Sequence, residues 1–156
     1  MPSFNNLTEL QGYLVNVITD VIENEVADAV RKEWISIMEK NVYDAYQPFQ
    51  YQRRGSQGGL ADPKNIQIVN KKVAKDNALF VLENMTKGNG WDDFAGKLIN
   101  SMIESESGFA GNPKTGMPAR PYTEEAYAFM TTGIGRNTIL QALNDGLVRR
   151  GIQVKM

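Results

Sequence analysis

The sequence predicts an α+β fold in which a long N-terminal helix and a C-terminal helix pack on a small antiparallel β-sheet. Three observations carry that reading. Apolar residues recur at helical spacing from Leu7 to Val42, with Gly12 the one glycine or proline among them. Two short apolar stretches, Asn65 to Val69 and Ala78 to Leu82, flank the turn residues Lys75-Asp76-Asn77 and read as a hairpin. From Thr123 a second helical pattern runs towards Arg150. The chain has 156 residues, 42% of them apolar and 22% charged, and reads as a single domain, 1–156, with a core of its own.

Along the first helix, Leu10, Leu14, Ile18, Ile22, Val26, Val30, Trp34 and Met38 form an i, i+4 row. Asn6, followed three residues later by Glu9, supplies a capping box at its start. About 35 residues at 1.5 Å each span roughly 50 Å, more than a domain of this size is wide. The helix therefore either breaks once or projects and packs on a neighbour. Strict i, i+4 spacing also drifts around a 3.6-residue helix, so the apolar face differs between the two ends. One end packing on another subunit explains the drift, and so does a helix that curves round its own core.

The stretch from Val42 to Ile66 reads V-Y-D-A-Y-Q-P-F-Q-Y-Q-R-R-G-S-Q-G-G-L-A-D-P-K-N-I. It sets Tyr43, Tyr46, Phe49 and Tyr51 beside Arg53 and Arg54 on a glycine-rich segment that also holds Leu60. Tyrosine and arginine offer large amphipathic contact area and are enriched at interface hot spots. The plain alternative is a loop whose tyrosines pack locally while its arginines are solvated.

Beyond the hairpin, with Lys71 and Lys72 near the outer end of its first strand, Trp91 to Ile103 reads as a short helix. A loop rich in glycine and proline follows, from Ser107 to Pro121. Residues 42–64 and 104–121 are thus read as two extended loops. Thr123 is a good N-cap with Glu124 and Glu125 in the first turn, and Gly133 and Gly135 kink the closing helix. Arg149-Arg150-Gly151 reads as its stop, and Ile152-Gln-Val154 alternates as an edge strand would.

Composition restricts the chemistry. There is no cysteine and no histidine, which removes thiolate metal sites, histidine-ligated zinc and every nucleophile system built on histidine. Outside the long helix and the Glu124-Glu125 turn, the close carboxylate pairs are Asp92-Asp93 and Glu104 with Glu106. Asp92-Asp93 stands where a helix starts, so favourable interaction with the helix dipole is its simpler role. The glycines of 55–59 match neither a P-loop nor a dinucleotide fingerprint. No catalytic residue, metal site or cofactor is assigned. No apolar run approaches the roughly 20 residues that span a bilayer, and M-P-S-F-N-N lacks the regions of a signal peptide.

Net charge is −1, but its sign shifts along the chain. Residues 1–49 hold eight acids and three bases, and residues 50–88 hold three acids and seven bases. An acidic helix and a basic central region suit head-to-tail pairing between copies, although charge runs are more often solvated faces. The bases Arg53, Arg54, Lys64, Lys71, Lys72 and Lys75 also suit phosphate contacts, which makes a nucleic-acid-binding accessory protein the alternative reading. A pI near 5.5 weighs against a free-standing DNA binder.

Taken in order, these motifs resemble the tail-completion, or head–tail joining, proteins of long-tailed bacteriophages. The resemblance runs through the long helix, V-Y-D-A-Y-Q-P-F-Q-Y-Q-R-R, G-G-L-A-D-P-K-N-I and the hairpin. It continues with L-I-N-S-M-I-E-S-E-S-G-F, A-R-P-Y-T-E-E-A and a last helix ending L-V-R-R-G-I. Where many relatives carry Pro-x-x-Thr-Gly-x-Leu-Arg, this chain has Pro48 and then Gly58-Gly59-Leu60, so a related minor capsid or tail component is the nearby alternative. The resemblance implies a virion protein of the neck, assembled in the host cytoplasm, and not an enzyme. It implies a homo-oligomeric ring, six- or twelve-fold, between the portal or adaptor and the tail-tube or tail-terminator proteins. DNA would pass through the lumen without sequence-specific binding, and no membrane is involved. Arg120-Pro121 matches the Arg-Pro that precedes the family's last helix, and residues 42–60 and 104–121 would make the contacts.

Overall fold

The structure, a computed structural model, describes residues 3–45, 54–74, 77–87, 101, 103–104 and 120–154. Its longest element begins where the capping box predicts. The Asn6 side chain accepts from the N–H of Glu9 at 2.9 Å, and the Glu9 carboxylate accepts from Asn6 Nδ2 and the Asn5 N–H. Leu7–Val21 and Ala27–Met38 are α-helical, while Ile22–Val26 and Glu39–Tyr43 are π-helical. The four segments form one unbroken helix over 7–43, α1.

The π segments answer the spacing problem posed by the sequence. Four residues overshoot one α-turn by about 40°, so an i, i+4 row leaves the core face within a few turns. Bonds of the i→i+5 kind wind the chain less tightly and bring the row back. Ile22, Val26, Val30, Trp34, Met38 and Val42 are all buried as a result. The helix does not break, and it buries its apolar side on its own chain. Only its first turns extend past the core, where Leu7 is 68% exposed.

Two clusters share that apolar side. Trp34, Met38 and Val42 pack with Leu60, Ala61, Ile66, Tyr122 and Ala126. Val17, Val21, Val26 and Val30 pack with Leu147. Leu82 and Met130 touch both clusters and join them into one core.

The hairpin forms as the alternation predicts but runs further along its first strand. Ile66–Val73 is β1, Ala78–Asn84 is β2, and the two pair antiparallel. Lys71 and Lys72 lie within β1, near its outer end as expected. Ile68 pairs with Leu82 and Asn70 with Val81, which leaves Val69 bulged. The extra residue shifts the side-chain phase of the rest of β1. Lys71 comes opposite Phe80, which packs on the valine cluster, so Lys71 faces α1 and forms an ion pair with Glu23. Arg31 Nε adds a second link from α1 to this strand, donating to the Ile66 carbonyl at 2.9 Å.

The closing helical pattern is two helices, α2 (Tyr122–Thr131) and α3 (Gly133–Arg149). Between them Thr132 is extended and Gly133 has φ +52°, a left-handed conformation that a side chain disfavours. The predicted kink is thus a full break. Thr123 is not the N-cap, because Pro121 holds that position and the Thr123 N–H donates instead to the Glu104 carboxylate at 3.1 Å. Ile152 to Val154 form no strand. The Ile152 N–H turns back onto the Leu147 carbonyl at 3.0 Å, and its side chain packs on the valine cluster. Most of the helix predicted over 91–103 and most of the 104–121 loop lie outside the described residues. Among the described residues no helix is long and apolar enough to cross a membrane.

Candidate assembly surface

The segment from Arg54 to Asn65 is a tightly bonded platform. Asp62 organises it: one carboxylate oxygen accepts from the Gly58 N–H at 2.7 Å, the other from the Lys64 N–H at 2.9 Å. Those backbone donors, Lys64 first, hold the Asp62 carboxyl below the usual carboxylate range. Pro63–Asn65 then forms a 3₁₀ turn whose Asn65 side chain donates back to the Gly59 carbonyl at 2.9 Å.

The end of β2 holds the platform from behind. Asn84 Nδ2 donates to the Leu60 carbonyl at 2.8 Å, and the Thr86 hydroxyl donates to the Gly59 carbonyl at 3.1 Å. Both side chains are buried, so a loop that would otherwise carry unmet carbonyls is satisfied from the strand end. Arg54 stands exposed at the rim, its Nη2 donating to the Lys87 carbonyl at 2.6 Å. It is thus held in one orientation by the same strand end.

Beside the platform lies the end of α1. Arg120 reaches the Val42 carbonyl with Nη1 at 3.4 Å, placing positive charge where a helix terminus presents unmet carbonyls. Tyr43 packs partly buried against the first cluster, and half-buried Pro121 leads into α2. Tyr122 is fully buried at the centre of this end, and burial pushes its phenol pKa up.

Of the residues singled out from the sequence, Tyr43, Leu60, Arg120 and Pro121 gather around Tyr122, with Arg54 on the neighbouring rim. Leu60 is only 6% exposed and belongs to the core, so its side chain packs within the chain instead of presenting a surface. Tyr46, Phe49, Tyr51 and Arg53 lie outside the described residues.

Sequence reasoning missed a second polar centre. It took Arg149 and Arg150 as a helix stop, but Arg150 donates to Asp20 at 2.6 Å, Glu25 at 3.0 Å and the Gly146 carbonyl at 2.8 Å. Arg149 adds a contact to the same Glu25 oxygen at 3.1 Å. The Arg150 hydrogen bond holds the Glu25 carboxyl below its ordinary value, against the opposing effect of burial. The same bond raises the Arg150 pKa. With the Glu23–Lys71 pair, these bonds neutralise within the chain part of the charge partition read from the sequence. Between α1 and α3 an open groove of about 400 Å³ remains, its lining including the acids Asp28, Glu33 and Asp145, the bases Lys32 and Arg149, and Ala29 and Ala142. Among the described residues no group of three or more acids is placed to hold a metal ion.

A family model, YomN, matches residues 6–149. The chain belongs to the YomN family. The YomN match runs from the Asn6 cap of α1 to the last residue of α3, so it takes in the platform, the hairpin and both closing helices. Searches of curated proteins and of solved structures found no match.

Proposed function

We propose that the chain is a structural subunit of a bacteriophage virion and not an enzyme. In this reading it is a tail-completion or head–tail connector protein that forms a ring in the neck, between portal or adaptor and tail tube or terminator. DNA passes through the lumen without sequence-specific contact. The observation that carries the proposal is the pinned 54–65 platform, which falls within the motif series that resembles the joining proteins. Bonds from Asp62, Asn65, Asn84 and Thr86 fix its backbone before any partner arrives. A surface ordered in advance loses little conformational freedom on docking, which suits an assembly contact.

Use of the basic segment on nucleic acid is less favoured. Lys71, one of the bases such a contact would use, is engaged by Glu23. Replacing Arg53 and Arg54 together by alanine tests the proposal. The subunit is expected to stay folded, because exposed charges contribute little to stability, while heads and tails fail to join. Normal yields of infectious particles from the double variant would refute the assembly role of this surface.

A further inference from the structure

We propose that the open edge of β2 pairs with the same strand of a second copy, the two β2 strands joining antiparallel into one continuous sheet. The inference needs only a second copy of the chain and does not rest on the neck reading.

The hydrogen bonds at the two ends of the hairpin show which backbone groups of β2 are spare. The Ala74 N–H donates to the Asn77 carbonyl at 2.8 Å, and the Met85 N–H donates to the Asn65 carbonyl at 2.6 Å. Backbone groups alternate in direction along an antiparallel strand. Leu79, Val81 and Glu83 therefore bond towards β1, while the N–H and C=O of Ala78, Phe80 and Leu82 point away from it. The sheet has only its two strands, and among the described residues nothing bonds to the outward groups of those three.

The two edges of the hairpin differ. That of β1 is blocked by its bulge at Val69, by Lys71 and Lys72, and by Arg31 of α1 on the Ile66 carbonyl. Bulges and lysines are the usual devices that keep a strand edge from pairing. Residues 78–82 of β2, A-L-F-V-L, carry no charge, proline, glycine or bulge. An edge of that kind accepts a further strand through its backbone.

A second β2 is the strand that fits. With the two-fold axis at Phe80, Ala78 comes opposite the second copy's Leu82 and Phe80 opposite its own counterpart, so each outward group of the three residues gains a partner. On the outer face Leu79, which is 55% exposed, lies opposite the second copy's Val81, an apolar cross-strand pair. Glu83 comes opposite the second copy's Asn77, so the register sets no like charges against each other. The blocked β1 strands become both rims of the joined sheet, and pairing stops at two copies. The contact is isologous, and so is distinct from the heterologous contact that builds a ring.

Cysteine trapping reads this register, because the chain has no cysteine of its own. Leu79→Cys and Val81→Cys chains are made separately, mixed and oxidised, with each variant alone as the control. Across the axis positions 79 and 81 are directly opposite, at about 4.5 Å between Cα atoms, whereas 79 with 79 and 81 with 81 are diagonal at about 7–8 Å. A disulfide spans the first separation and not the second. The mixture is expected to yield a disulfide-linked dimer well above either control. In parallel, Leu79→Lys should leave the melting temperature unchanged, since the side chain is already exposed, and weaken dimerisation about tenfold by sedimentation. Trapping no greater in the mixture than in the controls, a dimer that Leu79→Lys leaves intact, or a chain that sediments as a monomer at high concentration would each overturn the contact. None of these outcomes bears on whether heads and tails join.

Discussion

Gly146 of α3 lies directly against Val21 of α1: a Cβ built on Gly146 would come within 2.5 Å of a Val21 methyl carbon. Val21 is fully buried and β-branched, so it has little freedom to turn aside. This point of closest approach sets how near the two helices come, and it lets Arg150 reach Asp20 and Glu25 one turn further along.

Gly146→Ala is therefore expected to destabilise the fold although alanine is the better helix former. Crowding a packed interior costs about 1–3 kcal/mol, against about 1 kcal/mol gained in helix propensity. Thermal unfolding should show a melting temperature lower by several degrees. A higher one would mean that the helices do not meet this closely.

The Glu25 clasp predicts a pH dependence. Its folded-state carboxyl is held below the ordinary value by Arg150, so the stabilisation is present above the usual carboxylate range and is lost as pH falls through the folded-state value. Glu25→Gln should be less stable than the native chain at pH 7 by about 1 kcal/mol, a modest figure because the arginines are partly solvated. Urea midpoints of the two proteins should converge on acidification. A gap that stays constant into strong acid would rule the clasp out as its cause.

The platform depends on two buried side chains to unequal degrees. Asn84→Ala removes the side-chain donor to the Leu60 carbonyl and the acceptor of the Thr86 N–H, at 3.1 Å. Leaving such buried groups unmet costs about 1–3 kcal/mol. Thr86→Val should cost less, because the Gly59 carbonyl keeps its bond from Asn65. Denaturant unfolding of both variants checks the order, and a larger loss at Thr86 would contradict it.

Much of the fold is legible because its causes are local. Asn6 and Glu9 announce the start of α1, and alternation announces the hairpin. The rows of valine and isoleucine mark the side of α1 that is buried. The π segments are legible only through their trace: an i, i+4 row too regular for an α-helix already implies that something corrects its phase. The bulge at Val69 has no such trace, since an added residue looks like any other strand residue. Leu60 was misplaced for a related reason. Within a glycine-rich loop there is no period to say which side chain turns inward; Leu60 is placed by packing with distant Trp34, Met38 and Tyr122, and Asn84, 24 residues on, anchors its carbonyl. Arg150 meets Asp20 and Glu25 across 130 and 125 residues of chain, a separation at which spacing carries no information.

The most direct test of the proposed role is to image the neck of the assembled particle, with the chain labelled at its N-terminus. The expected result is a ring of copies between head and tail, and free heads and tails when the chain is withheld. Complete, joined particles that form without the chain and show no label at the neck would contradict it.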